Sequence, residues 1–243
     1  MRNVWVAVVV CVMAGQGYGA WNLDMETGQV SAGYNDIKIP GDTGTRFSLT
    51  DSFSVDRKMY YRIRVNKELK NHKYLSVLYA PLSLDAHGVT DGVINYNNDV
   101  FPANTAVSAR YRFDSYRITY GKYYPKNDAL TWKLGFTAKI RDAAISITGN
   151  GITSEKKNTG LVPLLNFGAR YVLNERTALI FDADALAGGP GRAEDVMLAL
   201  AHTVSPGYTF RVGYRIVEGG SDTTQVYNFA LLSYLVIGLT ISL

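Results

Sequence analysis

The chain has 243 residues, of which 47% are hydrophobic and 19% are charged, and its net charge is +4 at pH 7. This apolar content excludes a disordered chain, and a mean hydropathy of −0.04 excludes a bundle of membrane helices. Tyr occurs 17 times and Gly 23 times, against 7 Pro, a balance that is more typical of strands than of helices.

The N-terminus has the pattern of an export signal. A short basic start, Met1-Arg2-Asn3, precedes an apolar run from Val4 to Met13 and a stretch of small residues up to Ala20. The run is too short to cross a bilayer, so we predict a cleaved signal peptide at residues 1–20, the alternative being an N-terminal strand or anchor helix. Cleavage would remove Cys11, the single cysteine, and leave no thiol for a disulfide or for catalysis.

Residues 21–43 form an N-terminal segment for which the sequence leaves three alternatives. The segment enters the lumen of the predicted fold, lies in the periplasm, or forms an extra strand. The residues that follow, 44–243, carry the clearest strand signals.

Strict alternation of apolar and polar residues recurs along the chain. In residues 130–140 every even position is apolar and every odd position is polar or glycine. The same pattern occurs in residues 47–50, 61–65, 107–113 and 208–216. Because strand side chains point alternately to opposite faces, each of these segments has one apolar and one polar face.

The composition of the two faces is more specific than the alternation. Long cations occupy the polar positions, whereas Tyr, Trp, Phe and Leu occupy the apolar ones. The last strand is apolar at every second residue, through Leu239 and Ile241 to Leu243. With the export signal, this pattern resembles the outer-membrane β-barrel proteins of Gram-negative bacteria, over essentially the whole chain after residue 20. Proteins of this class usually end in Phe or Trp, from which Leu243 departs.

The resemblance implies an all-β fold, an antiparallel up-and-down transmembrane barrel in the bacterial outer membrane. It implies contact with outer-membrane lipid and assembly by the barrel-assembly machinery through the C-terminal strand. In lipid every backbone polar group needs an internal partner, so an all-strand chain can span only as a closed barrel. A soluble periplasmic β-sandwich is the rival fold.

Turn signals divide residues 44–243 into ten predicted strands if the tight connections are periplasmic. The predicted strands are 44–54, 57–69, 72–84, 103–124, 129–149, 159–173, 176–187, 193–204, 207–218 and 225–243. The alternation changes phase between Phe113 and Tyr116 and between Ile140 and Ile145, which we interpret as matched bulges at a barrel rim. A twelve-stranded alternative adds residues 26–38 and splits 103–124.

A basic lumen is the first candidate site. The inward face is predicted to carry Arg62, Arg64, Arg110, Arg112, Arg117, Lys133, Lys139, Arg170, Arg211 and Arg215. Such a lumen favours small anionic solutes as partners if it is open, giving a narrow anion-preferring channel. A barrel of ten to twelve strands has little free space, so a filled lumen and a structural or interaction role are favoured. The inward spread of the cations indicates no nucleic-acid partner.

A charged cluster at the outer rim is the second candidate site. It is predicted to comprise Arg141, Asp142, Asp182, Asp184, Arg192, Glu194, Asp195 and Glu218. Paired carboxylates there would suit an outer-membrane hydrolase, whereas an Arg–carboxylate network would hold the loops closed, and the network is favoured. No catalytic residue, metal ligand or cofactor motif is identified. His72 and His202 lack a Ser or carboxylate partner at close spacing, and His87, near Asp85 and Asp91, is more typical of a solvated loop histidine than of a catalytic one.

Overall fold

The computed structural model describes residues 20–243. The predicted signal peptide therefore lies outside the described residues, apart from Ala20. Among residues 20–243, no helix is long and apolar enough to cross a membrane.

The described chain consists of strands, with one 3₁₀ turn at Lys70–His72. The strands are β1 (Trp21–Lys38), β2 (Phe47–Ser48), β3 (Phe53–Val55), β4 (Lys58–Leu69), β5 (Lys73–Ala80), β6 (Ser83–Val89), β7 (Ile94–Tyr96), β8 (Asp99–Phe101), β9 (Ala106–Pro125), β10 (Leu130–Gly149), β11 (Ile152–Val172), β12 (Thr177–Gly188), β13 (Gly191–Ser205), β14 (Tyr208–Asp222) and β15 (Tyr227–Ser242).

Ten antiparallel strands close into a barrel. From β9 to β15 each strand pairs with the next, and β15 pairs with β1, which pairs with β4. The ring continues through β5 and β9, and β6 extends β5 along β9 in the same register, with Ala80 opposite Ser115 and Ser83 opposite Arg112. The predicted ten-stranded barrel is confirmed, and ring closure excludes the sandwich.

The first barrel strand is not the predicted one. Residues 21–43 supply β1, which pairs along most of its length with β15, whereas the predicted strand 44–54 provides only β2 and part of β3, outside the main wall. The alternation of apolar and polar residues is weak in β1, because the register shifts between Ala32 and Tyr34 and because Thr27, Gln29 and Ser31 occupy outward positions. The twelve-stranded alternative is wrong, since β9 is unbroken.

An apolar band surrounds the barrel. On β14, Phe210, Val212 and Tyr214 point outward and are about half exposed, at 48%, 58% and 46%. Near the ends of the strands joined by short turns, aromatic side chains form a girdle: Trp132, Tyr124, Tyr171 and Tyr208. A closed barrel with an outward apolar band and an aromatic girdle is built to span a lipid bilayer, and the short turns mark its periplasmic end.

The two phase changes are not bulges. β9 and β10 pair without a register shift, and Asp114 lies opposite Asp142. On these two strands the inward side chains below this level are polar and the outward ones are apolar. Above it the inward side chains include Phe113 and Ile145, and Arg112 points outward. The strands therefore continue beyond the membrane, where water lies outside, and the polarity of their two faces is exchanged. This exchange also explains why residues 149–159, predicted as a loop, are mostly strand.

An extracellular cap fills the outer end of the barrel. Its buried residues come from the segments 39–55 and 94–101 and pack on inward residues of β9 and β10, with Tyr96 and Phe101 fully buried. The Tyr96 hydroxyl donates a hydrogen bond of 2.7 Å to the carbonyl of Ile145. The cap therefore covers the top of the lumen with an apolar core of its own.

Candidate functional site in the lumen

The middle of the lumen is crossed by a network of buried ion pairs. Alternation on β1, β4, β9, β12, β13 and β14 points polar side chains into the middle of the lumen, and β10 adds Thr137 beside them. We call the central network the group of four arginines and four carboxylates Asp24, Glu26, Arg62, Arg117, Asp184, Asp195, Arg211 and Arg215.

Arg215 and Asp195 are the hubs of the central network. Arg215 donates to Glu26 through Nη2 (2.8 Å to Oε2) and Nε (3.0 Å to Oε1), and it also pairs with Asp195. Asp195 receives Arg62 at 2.8 Å and Arg117 at 2.7 Å. All these side chains are at most 7% exposed. Buried charges of this kind persist only when each is paired and hydrogen-bonded.

Neutral side chains complete the network. Asp184 accepts hydrogen bonds from the Thr137 hydroxyl (2.9 Å) and the Asn166 amide (2.8 Å) in addition to Arg117. The Tyr60 hydroxyl donates to Glu26 at 3.1 Å. The carboxylates thus have their lone pairs satisfied, and the charge of the network is balanced.

A periplasmic cavity of about 350 Å³ lies below the central network. In it Asp182 binds Arg64 (3.0 Å) and Lys133 (2.6 Å). Arg170 is exposed at its wall. This half of the lumen is open to the periplasmic side and strongly polar.

An outer vestibule of about 390 Å³ lies between the central network and the cap. Its wall combines apolar side chains, such as Phe113, Leu186 and Leu232, with the cations Lys139 and Arg141. Lys139 is 3% exposed and its Nζ lies 4.7 Å from the centroid of the Phe113 ring. Within residues 20–243 its ammonium forms no ion pair and no hydrogen bond.

Eight of the ten cations predicted for the lumen point inward. Arg62, Arg117, Arg211 and Arg215 lie in the central network, and Arg64, Lys133, Arg170 and Lys139 line the two cavities. The placement of Arg110 and Arg112 in the lumen is wrong, because both lie above the level at which polarity is exchanged. They point outward, where Arg110 binds Asp85 at 2.6 Å and Arg112 binds Asp142 at 2.7 Å.

The predicted rim cluster is not one site. Asp182, Asp184 and Asp195 lie inside the lumen, and Arg141 lies in the outer vestibule. The other members are Asp142, which faces outward, the exposed Glu194, and Arg192 with Glu218, which are joined at 2.7 Å. These residues do not form one cluster, because counting residues from a hairpin turn gives their height along the barrel but not the face of the strand on which they lie.

Sequence reasoning missed Asp24 and Glu26, which supply half of the carboxylates in the central network. Their strand, β1, was not assigned to the wall, so the lumen was expected to be basic. The alternation Asn22, Asp24, Glu26 was the available signal, since all three face inward.

Outside the membrane, ion pairs lower the pKa of two carboxyl groups. The hydrogen bond from Arg110 holds the pKa of Asp85 below its usual value, and the bond from Arg112 does the same for the pKa of Asp142. Both carboxylates are therefore charged at neutral pH. Within residues 20–243 no group of three or more His, Cys, Asp or Glu side chains could hold a metal ion.

Comparison with solved structures shows the same architecture. The outer membrane protease OmpT of Escherichia coli aligns with a TM-score of 0.56 at 10% identity, covering 92% of this chain and 97% of that chain. The fold is that of an outer-membrane β-barrel. The transport unit of the autotransporter AIDA-I from Escherichia coli (TM-score 0.49, 8% identity, covering 98% and 94%) and Ail, the attachment invasion locus protein of Yersinia pestis (0.41, 11%, covering 93% and 100%), also align.

No family model and no curated protein matches the sequence. At such low identity the likeness to OmpT is a likeness of fold alone. The barrel, its apolar outer band and its aromatic girdle place the protein in the bacterial outer membrane, in contact with lipid.

Proposed function

We propose that this protein is a non-conducting outer-membrane barrel that acts by binding a ligand, not as a pore. The central network carries this proposal, since it lies between the two cavities. Barrels of about ten strands have a lumen that side chains can fill, and aqueous channels need about sixteen. The outer vestibule, at about 390 Å³, has the size of a small-molecule site.

The network argues against an anion-preferring channel. Its four arginines are neutralised by four carboxylates, so they offer a passing anion no unpaired charge. An ion would have to displace hydrogen-bonded pairs that have lost most of their contact with water. The positive field expected from the sequence is therefore largely cancelled at mid-lumen.

The carboxylates also give little support for a hydrolase. OmpT is a protease with a similar fold, but Asp184 and Asp195 here are 3% exposed and held by arginines, amide and hydroxyl groups. His87, the histidine nearest to a carboxylate, lies on β6 at 3.8 Å from Asp56, and both side chains are more than 60% exposed on the outer surface. A general base needs a positioned partner and a site for the reacting atom.

Planar-bilayer recording tests the proposal. The wild-type barrel, shown to be folded by its heat-modifiable migration in gels, is expected to give no ohmic steps. A variant combining Arg62→Ser, Arg117→Ser, Asp184→Ser and Asp195→Ser removes equal numbers of cations and anions and is expected to conduct. Anion-selective conductance of the wild type, reduced in Arg211→Glu, would instead establish the channel hypothesis.

A further inference from the structure

The barrel wall is incomplete beside the outer vestibule. β11 pairs with β10 from Ile152 to Tyr171, but its pairing with β12 covers only Leu165–Val172. β12 continues to Gly188 in its pairing with β13. Above Leu165, therefore, β11 and β12 separate, and each has an edge without a strand partner.

The gap lies at membrane height. Leu161 is opposite Ile140 and Pro163 is opposite Ala138 on β10, both below the level of Asp142 where polarity is exchanged. Leu161 is 72% exposed. In lipid, an unpaired strand edge is tolerated only where it lines a cavity, and Pro163 has no N–H group to leave unpaired. The gap is therefore an opening in the apolar band.

The outer vestibule borders this gap. Its wall includes residues on both sides of the gap, Gly160 to Pro163 on β11 and Leu186 and Gly188 on β12. The central network lies below it, and the cap packs above it on Tyr111 and Ala230, which also line the vestibule. The outer leaflet is thus its direct neighbour.

Two cations in the vestibule lack a counter-ion. Lys139 forms no ion pair within the described chain, and Arg141 donates from Nη2 to Asn158, while its Nε is buried without a partner. Both face inward two residues apart on β10, about 7 Å along the strand. The acidic residue of the vestibule wall, Glu218, is already bound to Arg192. Burial without a partner disfavours the charged form of Lys139, and a bound anion would stabilise that form, so the site is complementary to an anion.

We propose that a fatty acid, a single-chain carboxylate dissolved in the outer leaflet, enters laterally between β11 and β12 and binds in the outer vestibule. Its carboxylate is held by Lys139 and Arg141, and its chain lies on the apolar wall toward the gap. This inference rests on the proposed function and names the ligand class of that binding protein.

Binding of tritiated palmitate to the tagged full-length barrel in phosphatidylcholine nanodiscs tests the head-group contact. Saturable binding is expected, and Lys139→Met should weaken it at least about tenfold, since an anion would lose its buried partner. Lys133→Met is the matched control, because Lys133 lies on the same face of β10 but in the periplasmic cavity. Palmitate binding by this variant should equal that of the wild type.

The proposal fails if the wild type binds no palmitate, if Lys139→Met binds as well as the wild type, or if hexadecanol competes as well as palmitate does. A folded wild-type barrel that neither conducts nor binds palmitate overturns this inference alone. A wild-type barrel that conducts overturns the proposed function.

Filling the gap tests the lateral route. A Cβ added at Gly188 meets no atom within 4 Å, and at Gly160 the nearest is Arg141 Nη2 at 3.6 Å, so neither Gly188→Trp nor Gly160→Trp brings its Cβ into a clash. Both are expected to slow palmitate association severalfold. Gly92→Trp, also in open space but in a cap loop, should leave the rate unchanged. Equal rates in all three variants and the wild type would exclude entry through the gap.

Discussion

Arg215→Met is expected to lower the free energy of unfolding by about 3–5 kcal/mol, the usual effect of breaking a buried ion pair from one side. Arg215 is 4% exposed and contacts both Glu26 and Asp195. Methionine has a similar length and no charge, so the network would be left with one excess negative charge out of contact with water. The loss should appear as a lower urea midpoint in phosphatidylcholine vesicles, followed by Trp21 and Trp132 fluorescence.

Two variants separate charge from packing. Arg215→Met combined with Glu26→Gln restores the balance of the network and should recover part of the lost stability. Arg110→Met removes an exposed arginine from its pair with Asp85 and should cost about 0–1 kcal/mol. Equal losses in Arg215→Met and Arg110→Met would mean that the central network contributes no more than a surface ion pair.

How far the sequence predicts the lumen depends on where each strand meets water. Arg211 and Arg215 were assigned correctly because β14 keeps polar residues inward throughout the membrane. Arg110 and Arg112 continue the same alternation on β9, but above Asp114 the exterior is aqueous and the cap makes the interior apolar. Alternation with a period of two shows which residues share a face of a strand. It does not show whether that face meets water, lipid or protein.

The missing carboxylates have a different cause. β1 carries Asp24 and Glu26 inward, but its outward positions include Thr27 and Gln29, so it lacks the contrast that marked the other strands. Its register shift beyond Ala32 then breaks the pattern. Ring closure and the pairing with β15 decide its place, and those long-range contacts are not visible in a local pattern. The gap beside the outer vestibule could not be predicted for the same reason. It exists because β11 pairs with β10 over a longer stretch than it pairs with β12.

The apolar outer band leads to the second large expected effect. Phe136 lies midway between Trp132 and Ile140 on the outward face of β10 and is 53% exposed to the surroundings of the barrel. Phe136→Arg should lower the free energy of unfolding in vesicles by about 2–4 kcal/mol, because an arginine near the bilayer midplane loses its hydration. Urea unfolding of the reconstituted protein measures the difference.

Thr148 provides the matched control for this substitution. It points outward from the same strand, six residues above Asp142, and its hydroxyl meets that of Thr153 at 3.0 Å on the exposed surface. Because water surrounds the barrel there, Thr148→Arg should change stability by no more than about 0.5 kcal/mol. Equal effects in the two variants would show that Phe136 and Thr148 have the same surroundings, and that the height assigned to the membrane from the exchange of polarity at Asp114 and Asp142 is wrong.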